Sequence, residues 1–164
     1  MDYKFKLNDI ELFINETVFH RLSMFKQSSS ELIESGGLLI GRTDINGKTR
    51  IYDITEPMKN DVRNRLMFKR LDKRHLDILR EANEKCLYFK GNWHTHPQSV
   101  PIPSWIDQIS WKKAMKESKP GDSEFIFFII VGTEQTKVWC GNMITRIVFE
   151  LEYDEVEEGD KSAI

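Results

Sequence analysis

The sequence predicts a single α/β domain, a curved mixed β-sheet flanked by helices. Three observations carry that expectation. Short apolar or alternating runs with strand character recur along most of the chain and are interrupted by three segments with helical spacing. Two hairpins are written into it, one around Asn46-Gly47 and one across Gly132-Thr-Glu-Gln135, so the sheet is not a regular parallel βαβ array. At 164 residues the chain suits one domain with a sizeable core, and it shows no internal repeat and no long linker.

In chain order, residues 9–14 alternate weakly and form a first short strand. Ile14, Val18, Leu22 and Phe25 then fall at helical spacing, which predicts an amphipathic helix over about 15–27, broken by Ser28-Ser-Ser30. Gly36-Gly-Leu-Leu-Ile-Gly41 is an apolar strand with glycines at both ends. Asp44-Ile-Asn-Gly-Lys48 turns the chain into a returning strand over Thr49–Thr55. A strand near Leu66–Phe68 precedes a helix over about 72–85. Leu87–His96 reads as a strand and 104–117 as a helix. Phe125–Val131 and Thr136–Cys140 pair as a hairpin. Ile144–Tyr153 is the last strand, with Ile147, Phe149, Leu151 and Tyr153 on one face. The domain is expected to span 1–153, followed by an acidic, apolar-poor tail over 154–164.

Composition narrows the class. Hydrophobic residues make up 40% and charged residues 30%, as in a soluble globular protein. A net charge of -2 gives no global case for nucleic acid or anionic membrane as partner. The first six residues lack the apolar core of a signal peptide, and no apolar run reaches the length of a membrane span. Cys86 and Cys140 do not make a disulfide framework and are expected to act as small buried hydrophobes in a reducing compartment. The expected location is the cytoplasm.

The chemistry concentrates in Gly91–Asp107, which holds His94, His96, Ser104 and Asp107 within fourteen residues. Side chains at i and i+2 of a strand leave the same face, so His94 and His96 can aim at one point while Trp93 and Thr95 face away. Pro97, Pro101 and Pro103 end the strand and reverse the chain. Ser104 is placed to cap the next helix, with Asp107 in its first turn. Two imidazoles and one carboxylate, with a fourth position open and no cysteine, are the pattern of catalytic rather than structural zinc. Ser104-x-x-Asp107 alone would be an ordinary capping box and a lone His-x-His a chance pair; the ordered set is more specific than either. A hydrolytic centre also needs a proton acceptor. Upstream, Glu31 and Glu34 are the candidates, Glu34 standing directly before Ser35-Gly36-Gly37.

Glu34-Ser-Gly-Gly-Leu-Leu-Ile-Gly41, His94-Thr-His-Pro97 and Ser104-Trp-Ile-Asp107 together closely resemble the JAMM (MPN-plus) metalloprotease signature. The match runs from about Ile33 to Asp107, and the order of elements is compatible with the family fold from about 9 to 153. The resemblance implies the MPN, cytidine-deaminase-like fold. It implies one zinc ion per chain on His94, His96 and Asp107, Glu34 as general acid/base, and Ser104 supporting the oxyanion. Glu31 is expected to be dispensable.

Within the family, Val100–Asp107, Trp111 and the Phe125–Trp139 hairpin look most like the deconjugases of CBASS and related bacterial antiphage operons. That likeness implies a protein substrate whose extended C-terminal tail, of a cyclase or a ubiquitin-like protein, is joined to a target by an E1–E2-like enzyme. The implied reaction is hydrolysis of the bond after that tail. The turn Gln98–Pro103 and the segment from Thr55 to Arg70 are expected to wall the tail's path. Three rivals remain: a peptidase trimming a sulfur-carrier or ubiquitin-like precursor, a RadC-like DNA-associated protein using the basic stretch Lys59–Arg74, and a non-catalytic MPN scaffold. The charge balance disfavours the second and the intact ligand set the third.

Overall fold

The computed structural model describes residues 1–28, 32–64 and 68–154. Ten strands and three helices are present among them: β1 (Asp2–Leu7), β2 (Ile10–Asn15), α1 (Glu16–Met24), β3 (Gly36–Thr43), β4 (Thr49–Ile54), β5 (Val62–Arg63), β6 (Phe68–Lys69), α2 (Arg74–Glu84), β7 (Tyr88–Thr95), α3 (Trp105–Glu117), β8 (Phe125–Val131), β9 (Thr136–Asn142) and β10 (Val148–Asp154). The eight longer strands form one mixed sheet in the order β1-β10-β9-β8-β7-β3-β4-β2, and β1 also pairs with β2. The expected curved sheet therefore curls until its ends meet. The β2–β4 and β7–β8 pairs are parallel and the other six antiparallel.

The strand that closes the sheet was not anticipated. Asp2–Leu7 alternates charged Asp2, Lys4 and Lys6 with apolar Tyr3, Phe5 and Leu7, a period-2 signal in the stretch read only for a leader. Phe5 enters the core and Asn8, in the left-handed region, turns the chain into β2. The last strand starts at Val148, later than the expected Ile144. Ile147 is exposed ahead of it, while Leu151 is buried and Tyr153 rests on Phe5. Asp154 closes β10, with Lys4 and Lys6 beside its carboxylate; the rest of the expected tail lies outside the described residues.

β8 shows how the layers are built. Phe127, Ile129 and Val131 face one core, shared with Val18 and Leu22 of α1, Leu39 of β3 and Trp93 of β7. Ile126, Phe128 and Ile130 face the other way, against Trp111 and Met115 of α3 and Trp139 of β9. A strand covered on both faces reads as a continuous apolar run rather than an alternating one. α2 covers Leu38 and Ile40 of β3 through Ala82, with Ile78 and Leu79. Of the two cysteines only Cys140 is buried; Cys86 ends the turn after α2 in the left-handed region, exposed, which corrects the expectation for it. Both thiols are free.

Gly37 and Gly91 are among the glycines that let the strands approach. A Cβ at Gly37 would fall on the Thr55 carbonyl oxygen. A Cβ at Gly91, whose φ is +145°, would fall on that of Phe127. Both sit in β3 or β7, the pair that carries the site.

Candidate active site

β3 and β7 run antiparallel with Gly36 opposite His94. Trp93 and Thr95 turn away from the site, as alternation requires. The Trp93 indole N–H donates to the Thr55 carbonyl at 2.9 Å, and the buried Thr95 hydroxyl donates to Gln27 Oε1 at 2.8 Å. His94 and His96 point the other way, with their Nε2 atoms 3.1 Å apart. His96 lies just past β7 and is held by its own N–H, which donates to the Val131 carbonyl at 3.0 Å. Its Nδ1 lies 3.3 Å from Gln98 Oε1, a contact that steadies the ring.

α3 delivers the carboxylate. Ser104 is its N-cap, and a full capping box forms: the Asp107 N–H donates to Ser104 Oγ at 3.1 Å, and the Ser104 N–H donates to Asp107 Oδ2 at 2.8 Å. The same carboxylate reaches the histidines, Oδ1 standing 3.1 Å from His94 Nε2 and Oδ2 3.2 Å from His96 Nε2. The cap and the site are one device. Burial alone would raise the Asp107 pKa, but the two imidazoles and the Ser104 N–H hold it well below the ordinary carboxylate range.

Glu34 stands beside this cluster, its Oε1 4.0 Å from His96 Nε2 and its side chain 7% exposed. Burial pushes its pKa up to about 7; His96 and the Phe68 N–H oppose that rise and Asp107 adds to it. The backbone around it is pinned from two sides. On one side, the Glu34 N–H donates to the Asn64 carbonyl at 2.7 Å, while Arg63 donates to the Glu34 carbonyl at 3.0 Å and to Ser35 Oγ at 2.7 Å. On the other, the Ser35 N–H donates to Thr95 Oγ1 at 2.9 Å, the hydroxyl that reaches Gln27. Glu31, the rival upstream carboxylate, lies outside the described residues.

All five residues singled out in the sequence thus meet in one place. Gln27, Thr95 and Arg63, which hold the Glu34 segment, were missed. Gln27 and Arg63 stand in polar stretches and Thr95 between two histidines, so nothing local marks them or names a partner.

A groove of about 350 Å³ opens from the centre. One wall is a face of α3 from Ser104 through Asp107, Trp111 and Ala114 to Ser118; the other includes Phe68, Lys69 and Arg70, in the segment expected to line it. The Gln98–Pro103 turn does not line it. Carbonyls of Gln98 and Ser99 accept from Thr133, Glu134 and Gln135, so the turn is packed on the β8–β9 connection and α3 supplies the wall.

The donor set suits a metal ion. One ligand atom from each of His94, His96 and Asp107 lies within 4.8 Å of the others, and the three closest approaches are 3.1–3.2 Å. Ligands bound tetrahedrally to zinc at 2.0–2.1 Å would be about 3.3 Å apart. Two imidazole nitrogens and a carboxylate turned toward one point, with no cationic side chain among them, form a set able to hold a cation.

Residues 18–142 match the family described as prokaryotic homologs of the JAB domain. The chain belongs to that family. This bears out the likeness drawn from Glu34, the His94-x-His96-Pro97 motif and Ser104-x-x-Asp107. Three relatives are each named "CD-NTase/cGAS isopeptidase". One from Escherichia coli is 33% identical over 147 residues, covering 87% of this chain and 88% of its own. One from Vibrio cholerae is 31% identical over 135 residues, covering 80% and 81%. One from Pseudomonas aeruginosa is 31% identical over 129 residues, covering 72% and 79%. Among solved structures, a solution structure of a Desulfitobacterium hafniense protein superposes with a TM-score of 0.59 at 19% identity, over 89% of this chain and 95% of that one, a likeness of fold. No helix among the described residues is long and apolar enough to cross a membrane.

Proposed function

We propose that the protein is a zinc-dependent isopeptidase that hydrolyses the amide bond after the C-terminal residue of a conjugated protein. The observation that carries this reading is the convergence of His94, His96 and Asp107, with the buried Glu34 carboxylate 4.0 Å from His96 Nε2, at the head of a groove. His94, His96 and Asp107 would hold the zinc ion, which would supply Lewis acidity and make water a competent nucleophile near neutral pH. Glu34 takes the proton from the attacking water on a carboxylate oxygen and returns it to the leaving amine nitrogen. Ser104 Oγ already accepts the Asp107 N–H, and its own proton is free to be donated to the oxyanion that develops on the scissile carbonyl. The tail lies extended in the groove between α3 and β6 and reaches the centre through its terminal carbonyl.

The three relatives named as CD-NTase/cGAS isopeptidases support a cyclase tail as the physiological substrate. Its joining to a target by an E1–E2-like enzyme of an antiphage system, in the cytoplasm, is part of the same proposal and rests on the likeness drawn from the sequence. The test is cleavage of a reporter joined, through a linear or an isopeptide bond, to the C-terminus of a CD-NTase-type cyclase. Chelation should abolish cleavage and zinc restore it. A zinc-loaded protein that cleaves neither isopeptide-linked nor linear reporters would sink the proposal.

A further inference from the structure

The groove divides its charge: the carboxylates of Glu34 and Asp107 sit at its head, and beyond them three cationic side chains face one carboxylate. Apart from Glu34 and Asp107 at its head, its charged lining is Lys69 and Arg70 on one wall and Lys113 and Glu117 on the other. Glu117 is exposed and lies 3.9 Å from Lys113 one helical turn away, a weak pair. Lys69 has no ion-pair partner among the described residues. Lys112, Lys116 and Arg146 gather beside Lys113 at the far end. A chain with net charge -2 thus concentrates positive charge along the path to its own catalytic centre.

The geometry sets where that charge acts. Lys113 follows Ser104 by nine positions on α3, about 14 Å of helix rise. An extended peptide advances about 3.3 Å per residue, so Lys113 stands beside about the fourth residue from the bond that meets Ser104. That residue belongs to the conjugated tail. The opposite side of an isopeptide bond is a lysine side chain on a folded target, which does not present an extended backbone to a groove of this length.

We infer that the groove selects tails carrying acidic side chains about four residues before the scissile amide, held by Lys69, Arg70 and Lys113. The inference rests on the isopeptidase reading for the direction of the tail. Its test reads binding separately from turnover. Zinc-loaded Glu34→Gln protein is titrated with fluorescein-labelled octapeptides that end in glycine and carry glutamate, glutamine or lysine at the fourth and fifth positions from the end. Fluorescence anisotropy should rank them glutamate, glutamine, lysine, with about a two- to five-fold step at each exchange, the range of exposed ion pairs. The steps should collapse near 0.5 M salt, where screening is short-ranged. The charge reversal Lys69→Glu with Lys113→Glu, in the same Glu34→Gln background, should invert the order at unchanged zinc content and melting temperature. Equal affinities, no binding of any peptide, or an order that survives the reversal would overturn the inference. Wild-type cleavage of reporter fusions with the same tails separates the two ideas: equal kcat/KM for all three removes the acid selection and keeps the isopeptidase. Cleavage of none removes the isopeptidase, while the anisotropy order still decides what the groove binds.

Discussion

The Thr95 hydroxyl donates to Gln27 Oε1 at 2.8 Å, joining residues 68 apart in sequence directly behind the histidine pair. The same hydroxyl accepts the Ser35 N–H, and the Gln27 amide donates to the Leu32 carbonyl at 2.7 Å. Two residues that touch no substrate thereby set where Glu34 sits. Gln27 is 1% exposed and Thr95 is fully buried, so the Thr95 hydroxyl has no water to turn to. Gln27→Ala should cost about 1–3 kcal/mol of stability through unsatisfied buried partners. It should also lower kcat at unchanged zinc content. Urea unfolding and metal analysis on one preparation check both, and a variant as stable and as active as wild type would remove the network from the account.

Glu34→Gln keeps the shape of the side chain and loses its capacity to take a proton. Zinc should stay bound, because the three ligands are untouched, while kcat falls by about 10²–10⁴-fold. Metal stoichiometry and single-turnover kinetics decide it; loss of zinc would make Glu34 a ligand rather than a base.

Ser104 and Asp107 share one capping box, so their variants should separate cap from centre. Ser104→Ala removes the acceptor for the Asp107 N–H and should cost about 0.5–2 kcal/mol of stability. It should remain zinc-loaded and turn over more slowly. Asp107→Asn can still accept from the Ser104 N–H but no longer supplies an anionic ligand, so zinc affinity should drop further than stability. Calorimetric zinc titration beside thermal melts would show whether the two effects part in this way.

Asp61 makes the segment before α2 sensitive to acid. Burial would raise its pKa, but N–H donors from Asp72, Met58 and Leu71 and the ring of His75, 2.7 Å away, outweigh it and hold the carboxyl below its ordinary value. A depressed folded pKa gives stability that is complete above the unfolded value, about 3.9, and is lost as pH falls through the folded one. Wild type should therefore lose stability below about pH 4 more steeply than Asp61→Asn, which is expected to be the weaker of the two at neutral pH. Chemical unfolding between pH 7 and pH 3 tests the sign, and parallel curves for the two proteins would refute it.

Much of the site was legible because its residues are close in sequence and bound to periodic elements. The two-residue repeat of β7 aims His94 and His96 alike, and the first turn of α3 brings Asp107 to its own cap. The groove's walls were half legible: the segment holding Lys69 and Arg70 lies where expected, but the Gln98–Pro103 turn is drawn onto the β8–β9 connection by backbone hydrogen bonds that no turn propensity encodes. The closing strand β1 carried a clear alternation, in a stretch read only for a leader.

The sequence by itself determined the mixed α/β class, the order of most elements and the grouping of His94, His96 and Asp107, because each rests on local periodicity or on a spaced motif. Tertiary structure alone decided that the sheet closes through β1, that Gln27, Thr95 and Arg63 hold Glu34 in place, and that cationic side chains line the groove. Those contacts join residues tens of positions apart. Their partners are chosen by which buried polar groups and like charges the fold brings together, a quantity that no window of sequence contains.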